Sequence, residues 1–307
     1  MASWEEVLGV GAIIRKRVAG IRRFFLDYSP DYLYVPVSGG KDSAAVWGLV
    51  ARAGVPYVAV FIQIPGQTVA DNIAAVEGLA KALGVKDSVT VVVKETEGIW
   101  PRLSGAIAGC RKPCLMRVIP FTQYGEDFWG AMLRYGFPAP LGRFGMGTRW
   151  CCGTFKHRVL NRLPYNGRLN GRPWRFGVNG IKATDSPYRR KKYREDVMTW
   201  ESTKDTYYFP LRTLTDDIVW RIMKALRLAE IVRPQYERWG RAPNCFFCPM
   251  LGKRAMAATV KAMTPQQRAL VVEHLRRVLP RYKEGTYSYR SIKEWLEVIE
   301  GEANQAV

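Results

Sequence analysis

Histidine is almost missing from this 307-residue chain: His157 and His274 are the only two, and they lie far apart in sequence. That shortage argues against zinc-hydrolase chemistry and a Ser-His-Asp triad, each of which needs an imidazole set beside other ligands or a nucleophile. His157 is close enough to Cys152 to back a ligand sphere. Long apolar runs are missing too. None approaches the roughly 20 residues that cross a bilayer, so no membrane partner is expected. Met1–Glu6 lacks the basic start of a signal peptide, and cysteines placed as metal ligands suit a reducing compartment, so a cytoplasmic location is expected. No cysteine follows Cys248, and the tail Glu300–Val307 offers no thiolate. Acidic residues are scarce, 27 against 47 lysines and arginines, for a net charge of +20. A balance this basic predicts attraction to a polyanion, which a small nucleotide alone would not require.

What the chain does have is concentrated first at Ser38-Gly39-Gly40-Lys41-Asp42-Ser43, between the apolar run 32–37 and a predicted helix over 42–52. Paired glycines let phosphate oxygens approach backbone amides at a helix N-terminus, Lys41 adds charge, and Ser38 and Ser43 add hydroxyl donors. The Walker-type spacing is absent. A second concentration is the vicinal pair Cys151-Cys152 and the C-x-x-C of Cys245 and Cys248. Four thiolates from two distant segments can hold zinc or an iron–sulfur cluster. Adjacent side chains are awkward as two ligands of one tetrahedral ion, whereas a 4Fe–4S cluster offers each its own iron, so the cluster ranks above zinc. A third feature, Cys110-Arg111-Lys112-Pro113-Cys114, sets two thiols beside two cations that favour thiolate, as in a redox or sulfur-carrying pair.

The loop resembles the PP-loop of ATP pyrophosphatases and sulfonucleotide-binding enzymes. With the cysteines it gives the chain a resemblance to the phosphoadenosine phosphosulfate (PAPS) reductase family over residues 30 to 250. The matching stretches are Ser38–Ser43, Arg149–Cys152 with Lys156, Gly180-Ile181-Lys182 with Ser186 and Arg189, Pro210-Leu211 with Asp217 and Trp220, and Cys245–Pro249. The resemblance implies an adenine-nucleotide alpha-hydrolase-like fold. It assigns nucleotide contacts to Ser38, Gly39, Gly40, Lys41, Asp42, Ser43, Lys156, Lys182 and Arg189, with Lys156 near both cluster and substrate. Two departures stand out: the family's tail cysteine is missing, and Gln63-Ile64-Pro65-Gly66-Gln67-Thr68 replaces its Asp-Thr-Gly.

The expected fold is α/β, a parallel twisted sheet with helices on both faces plus a C-terminal helical subdomain. The expected division is a basic helix over 1–30, a nucleotide-binding α/β domain over 31–210 and a helical part over 211–307. Strands are predicted over 56–62 and 88–93 and helices over 69–83, 216–228, 265–279 and 291–300, with 98–148 as an irregular insertion. Arg15, Lys16, Arg17, Arg22 and Arg23 should form a basic outer face on an N-terminal helix whose inner face is Ile13, Ile14, Val18, Ile21 and Phe25.

Together these features predict an enzyme that binds ATP with Mg2+ and adenylates a tRNA or DNA for sulfur insertion, resembling cluster-containing tRNA thiolases and the ATP-pyrophosphatase component of DNA phosphorothioation systems. Lys41 and Asp42 would act on the phosphates and Cys110 or Cys114 on sulfur, with a donor such as a cysteine desulfurase as partner. The basic stretch Tyr188–Arg194 could hold phosphates and stack an unpaired base. The alternative is a reductase or sulfotransferase for PAPS or adenylylsulfate in which Cys110 or Cys114 supplies the missing thiolate.

Overall fold

The computed structural model describes residues 9–94, 99–138 and 150–304. The amino-terminal stretch 1–6, Arg149 and residues 139–148 of the expected insertion lie outside them. Among the described residues eight strands form one mostly parallel sheet, ordered β3-β4-β2-β1-β6-β8-β7, with β5 paired antiparallel to β6. The strands are β1 (Leu33–Val37), β2 (Tyr57–Ile62), β3 (Asp87–Val93), β4 (Cys114–Pro120), β5 (Gly167–Leu169), β6 (Arg172–Val178), β7 (Val197–Trp200) and β8 (Asp205–Tyr208). Only β7 reverses direction along the main path.

Central strands buried on both faces explain why β1 and β2 read as unbroken apolar runs. Leu33, Val35, Val37, Tyr57, Ala59 and Phe61 face one core; Tyr34, Val58, Val60 and Ile62 face the other. The first core is covered by α1 (Val10–Tyr28), α2 (Lys41–Ala53), α3 (Ala70–Ala82), α9 (Asp216–Ala225) and α10 (Ala229–Trp239). The second is covered by α4 (Ile99–Ala108) and α5 (Phe128–Tyr135), by a helical segment running α6 (Trp150–Cys152), a π-helical turn (Gly153–His157) and α7 (Arg158–Leu160), and by α11 (Lys253–Ala262), α12 (Pro265–Val278) and α13 (Tyr287–Asn304). A short α8 (Pro187–Lys192) follows β6. Among the described residues no helix is long and apolar enough to cross a membrane.

Three expectations need correction. The stretch 98–148 is not irregular throughout, since it holds α4, α5 and β4, a strand hydrogen-bonded on both sides by β2 and β3. Pro113, Pro120 and Arg117 hide that strand from periodicity. On α1, Arg17 faces inward and bonds Thr213, while Arg15, Lys16, Arg22 and Arg23 are exposed, and Phe24 rather than Phe25 completes the buried stripe. Residues 211–232 share a core with α1 and α2, so the helices after 210 are divided between the two faces of the sheet.

Candidate active site

The loop Ser38–Ser43 leaves the carboxyl end of β1, beside the point where the chain diverges to β2 on one side and β6 on the other. Open parallel sheets bind ligands at such a divergence. Gly39 has φ +74°, and a Cβ there would lie 2.4 Å from the Asn72 amide. The loop's carbonyls are held from outside: Asn72 Nδ2 donates to Ser38 O (2.7 Å) and to Gln235 Oε1 (3.0 Å), and Gln235 Nε2 donates to Gly39 O (3.0 Å). The Ser38 amide donates to Ser43 Oγ (3.1 Å) and the Lys41 amide to the Tyr236 hydroxyl (3.0 Å). Gly180, in the segment after β6, packs so closely that a Cβ would lie 2.9 Å from the Asp42 backbone.

Around this loop three cations meet three carboxylates. Lys41 Nζ lies 3.0 Å from Asp42 Oδ2 and 3.1 Å from Asp216 Oδ1. The buried Lys182 pairs with Asp216, with Asp185 at 2.8 Å and with Asp42 at 3.6 Å, and Arg189 pairs with Asp185. Burial alone would lower the Lys41 and Lys182 pKa values, but the carboxylates outweigh it and raise both. Burial would raise Asp216, but Lys182 and Lys41 hold it below the usual carboxylate value. A cavity of about 280 Å³ opens here, lined among others by Ser38, Asp42, Ser43, Gly180, Lys156 and Arg189.

A second cavity, about 150 Å³, gathers Cys151, Cys152, Cys245 and Cys248 with Lys156 and Arg241. All four cysteines are thiols in this structure. The first two ride on α6 and the others on the loop between α10 and α11. That loop is tied to the segment after β2: the Phe246 amide donates to Gln67 O (3.1 Å), the Phe247 amide to Gln67 Oε1 (3.1 Å), and Thr68 Oγ1 to Asn244 O (3.3 Å). Burial raises the Cys245 pKa against the pull of Lys156; burial lowers Lys156, but Cys245, Cys152 and Cys248 together raise it. Among the described residues no set of three or more His, Cys, Asp or Glu side chains is arranged to hold a single metal ion. The two cavities share Lys156 and Asn244 as a common wall.

Cys110 and Cys114 are not brought to this site. They are disulfide-bonded where β4 begins, with Cys114 level with Val58 of β2. The loop follows the opposite end of the neighbouring β1, so the pair is displaced by roughly four residues, or about 13 Å, along the strands and lines neither cavity. His274 meets Trp129 in a tilted ring contact, at 5.0 Å between centroids, and lines neither cavity. Sequence reasoning missed Asp185, Asp216, Asn72, Gln235, Tyr236, Gln67 and Arg241. Of these only Gln67 carried a signal, as part of the segment that departs from the family pattern.

An α/β protein with a mostly parallel sheet, a glycine loop at the strands' carboxyl ends and an adjoining four-thiol cavity is the class these features define. No family model matches the chain, and no curated protein matches it. Among solved structures it is similar to a phosphoadenylyl-sulfate (PAPS) reductase from Candida auris, determined as a phosphate complex. That likeness has 12% identity and a TM-score of 0.41, covering 68% of this chain and 78% of the other. It is also similar to an NMN synthetase from Francisella tularensis, with 11% identity and a TM-score of 0.44, covering 97% of this chain and 96% of the other.

Proposed function

We propose that this chain is a PP-loop enzyme of the PAPS reductase type that binds ATP at Ser38–Ser43 and adenylates a nucleic acid for sulfur insertion. One observation carries the reading: the loop cavity and the four-thiol cavity share the wall made by Lys156 and Asn244. An activated atom on one side and sulfur chemistry on the other are then separated by a single layer of side chains.

An oxygen of the nucleic acid attacks the α-phosphorus of ATP, the α–β bond breaks, and pyrophosphate leaves with the bonding electron pair. Lys41 and Lys182 meet the charge that gathers on the leaving group. Hydrosulfide (HS⁻) then attacks the atom that bears the adenylated oxygen, and AMP leaves with that oxygen and the bonding electron pair, with no change in the oxidation state of sulfur. Lys41, Lys182 and Arg189 face Asp42, Asp185 and Asp216, so the cluster is balanced and does not attract a triphosphate by net charge. Mg2+ arriving with the phosphates fits that balance: Asp42 would hold it through Oδ1, a buried oxygen that accepts no hydrogen bond and has Lys182 Nζ at 3.6 Å, and the ion would neutralise pyrophosphate charge. The four thiols of Cys151, Cys152, Cys245 and Cys248 would hold a 4Fe–4S cluster, which would supply a sulfur-binding or redox centre. The overall charge of +20 therefore lies mostly outside the catalytic cluster, and it fits tRNA or DNA as the partner. The reductase reading needs a thiolate at the loop cavity, and Cys110 and Cys114 line neither cavity.

Pyrophosphate release from ATP by anaerobically purified protein, with and without tRNA or DNA, tests the reading. Stimulation by one polymer is expected and identifies the substrate class. Lys41→Ala should lower the rate by about 10²- to 10³-fold while the iron absorbance stays unchanged. Sulfite release from PAPS with inert ATP would overturn the proposal.

A further inference from the structure

Arg241 stands at the mouth of the C-x-x-C loop. Its Nη2 donates to Cys245 O at 2.8 Å and to Phe246 O at 3.3 Å, and its Nε is buried with no hydrogen-bond partner. It lines the four-thiol cavity, and among the described residues no carboxylate forms a salt bridge with it. A guanidinium nitrogen buried without a partner is costly, and native structures rarely leave one so. The cavity that Arg241 lines also gathers Cys151, Cys152, Cys245 and Cys248.

We propose that Arg241 is the counter-charge and backbone clamp of the four-thiol cavity, built to face a net-anionic, thiolate-ligated cluster. The inference rests on the iron–sulfur reading above. The clamp and the charge are separable functions of one side chain. Nη2 alone holds the carbonyls of both Cys245 and Phe246, and so the backbone of the C-x-x-C loop. The positive charge lowers the cost of each electron the cluster accepts, because reduction adds negative charge beside it. Lys156 contributes a second cation on the nucleotide side of the cavity, so Arg241 is the one that acts on the cluster without touching the loop cavity. It is a positioning residue, and activity alone would not identify it.

The test uses the full chain, reconstituted anaerobically with ferrous iron and sulfide, as wild type, Arg241→Gln and Arg241→Lys. Iron and sulfide content is measured, then the midpoint potential by dithionite titration, following the one-electron reduction by electron paramagnetic resonance. Wild type should take up roughly four irons per chain, as expected of a cubane held by four cysteines. Arg241→Gln should retain iron but shift to a more negative potential, and Arg241→Lys should return it towards wild type. An Arg241→Gln potential equal to wild type overturns the charge role. Loss of iron from both variants, with native circular dichroism, also overturns it and leaves the clamp alone. Failure of wild type to bind iron overturns the cluster reading itself, a result distinguishable from either.

Discussion

Asp216 meets Lys41 and Lys182 at one carboxylate, and its energetic weight is set by its exposure. A carboxylate this open, 65% exposed at the side chain, is worth no more than about 1 kcal/mol to the fold even in good geometry. Its folded pKa is depressed, so its contribution is complete above the ordinary value of 3.8 and is lost as pH falls through the lower folded value. Asp216→Asn should therefore melt slightly below wild type at neutral pH, by about 1–3 °C. The gap should close below pH 3.8, and melting curves across that range check it. Asp216 was not legible beforehand because nothing local marks it: it opens a helix in an ordinary acidic first turn, and its partners come from the first loop and the segment after β6. Asn72 and Gln235 escaped for the same reason, since amides that hold loop carbonyls have no spacing rule. Lys41, Lys182 and Arg189 were legible because each stands within a motif.

The π-helical turn Gly153–His157 is the element that aims Lys156 between the two cavities while Cys151 and Cys152 sit one turn before it. π-turns insert one extra residue into a helix and often mark functional sites. Deleting Thr154 should restore α-helical spacing and rotate the two cysteines by about 100° relative to α7. Iron binding should fall at least tenfold while ATP affinity stays within about threefold of wild type; iron analysis and calorimetry with ATP check the pair. The half of the fold that carries the glycine loop was readable because β1 and β2 are short apolar runs bounded by glycine and proline. β4 was not, since Arg117 and two prolines break its pattern, and α10 was hidden by Pro234 inside it. The consequence reached the site: with β4 unseen, Cys110 and Cys114 could be imagined above the loop, whereas a parallel strand places them at its far edge.

On the scale of the molecule, charge is unevenly distributed. Cations and carboxylates balance around the loop, while Arg190, Lys191, Lys192 and Arg194 stand exposed directly after Arg189. If that stretch engages nucleic-acid phosphates, replacing Arg190, Lys191 and Lys192 by Gln should reduce the log–log salt slope of single-strand binding by roughly 2. ATP binding should not change, and fluorescence anisotropy at several salt concentrations measures the difference. The overall charge was plain in the sequence, but the local neutrality of the loop was not, since it depends on carboxylates from three segments. Finally, the short stretch from Gln67 to Asn72 holds both the C-x-x-C backbone and the glycine loop, one end gripping Phe246 and Phe247, the other Ser38. In evolutionary terms that stretch is a ruler of fixed length: an insertion or deletion within it would move one cavity relative to the other, so lineages that keep both chemistries should vary its residues but not its count.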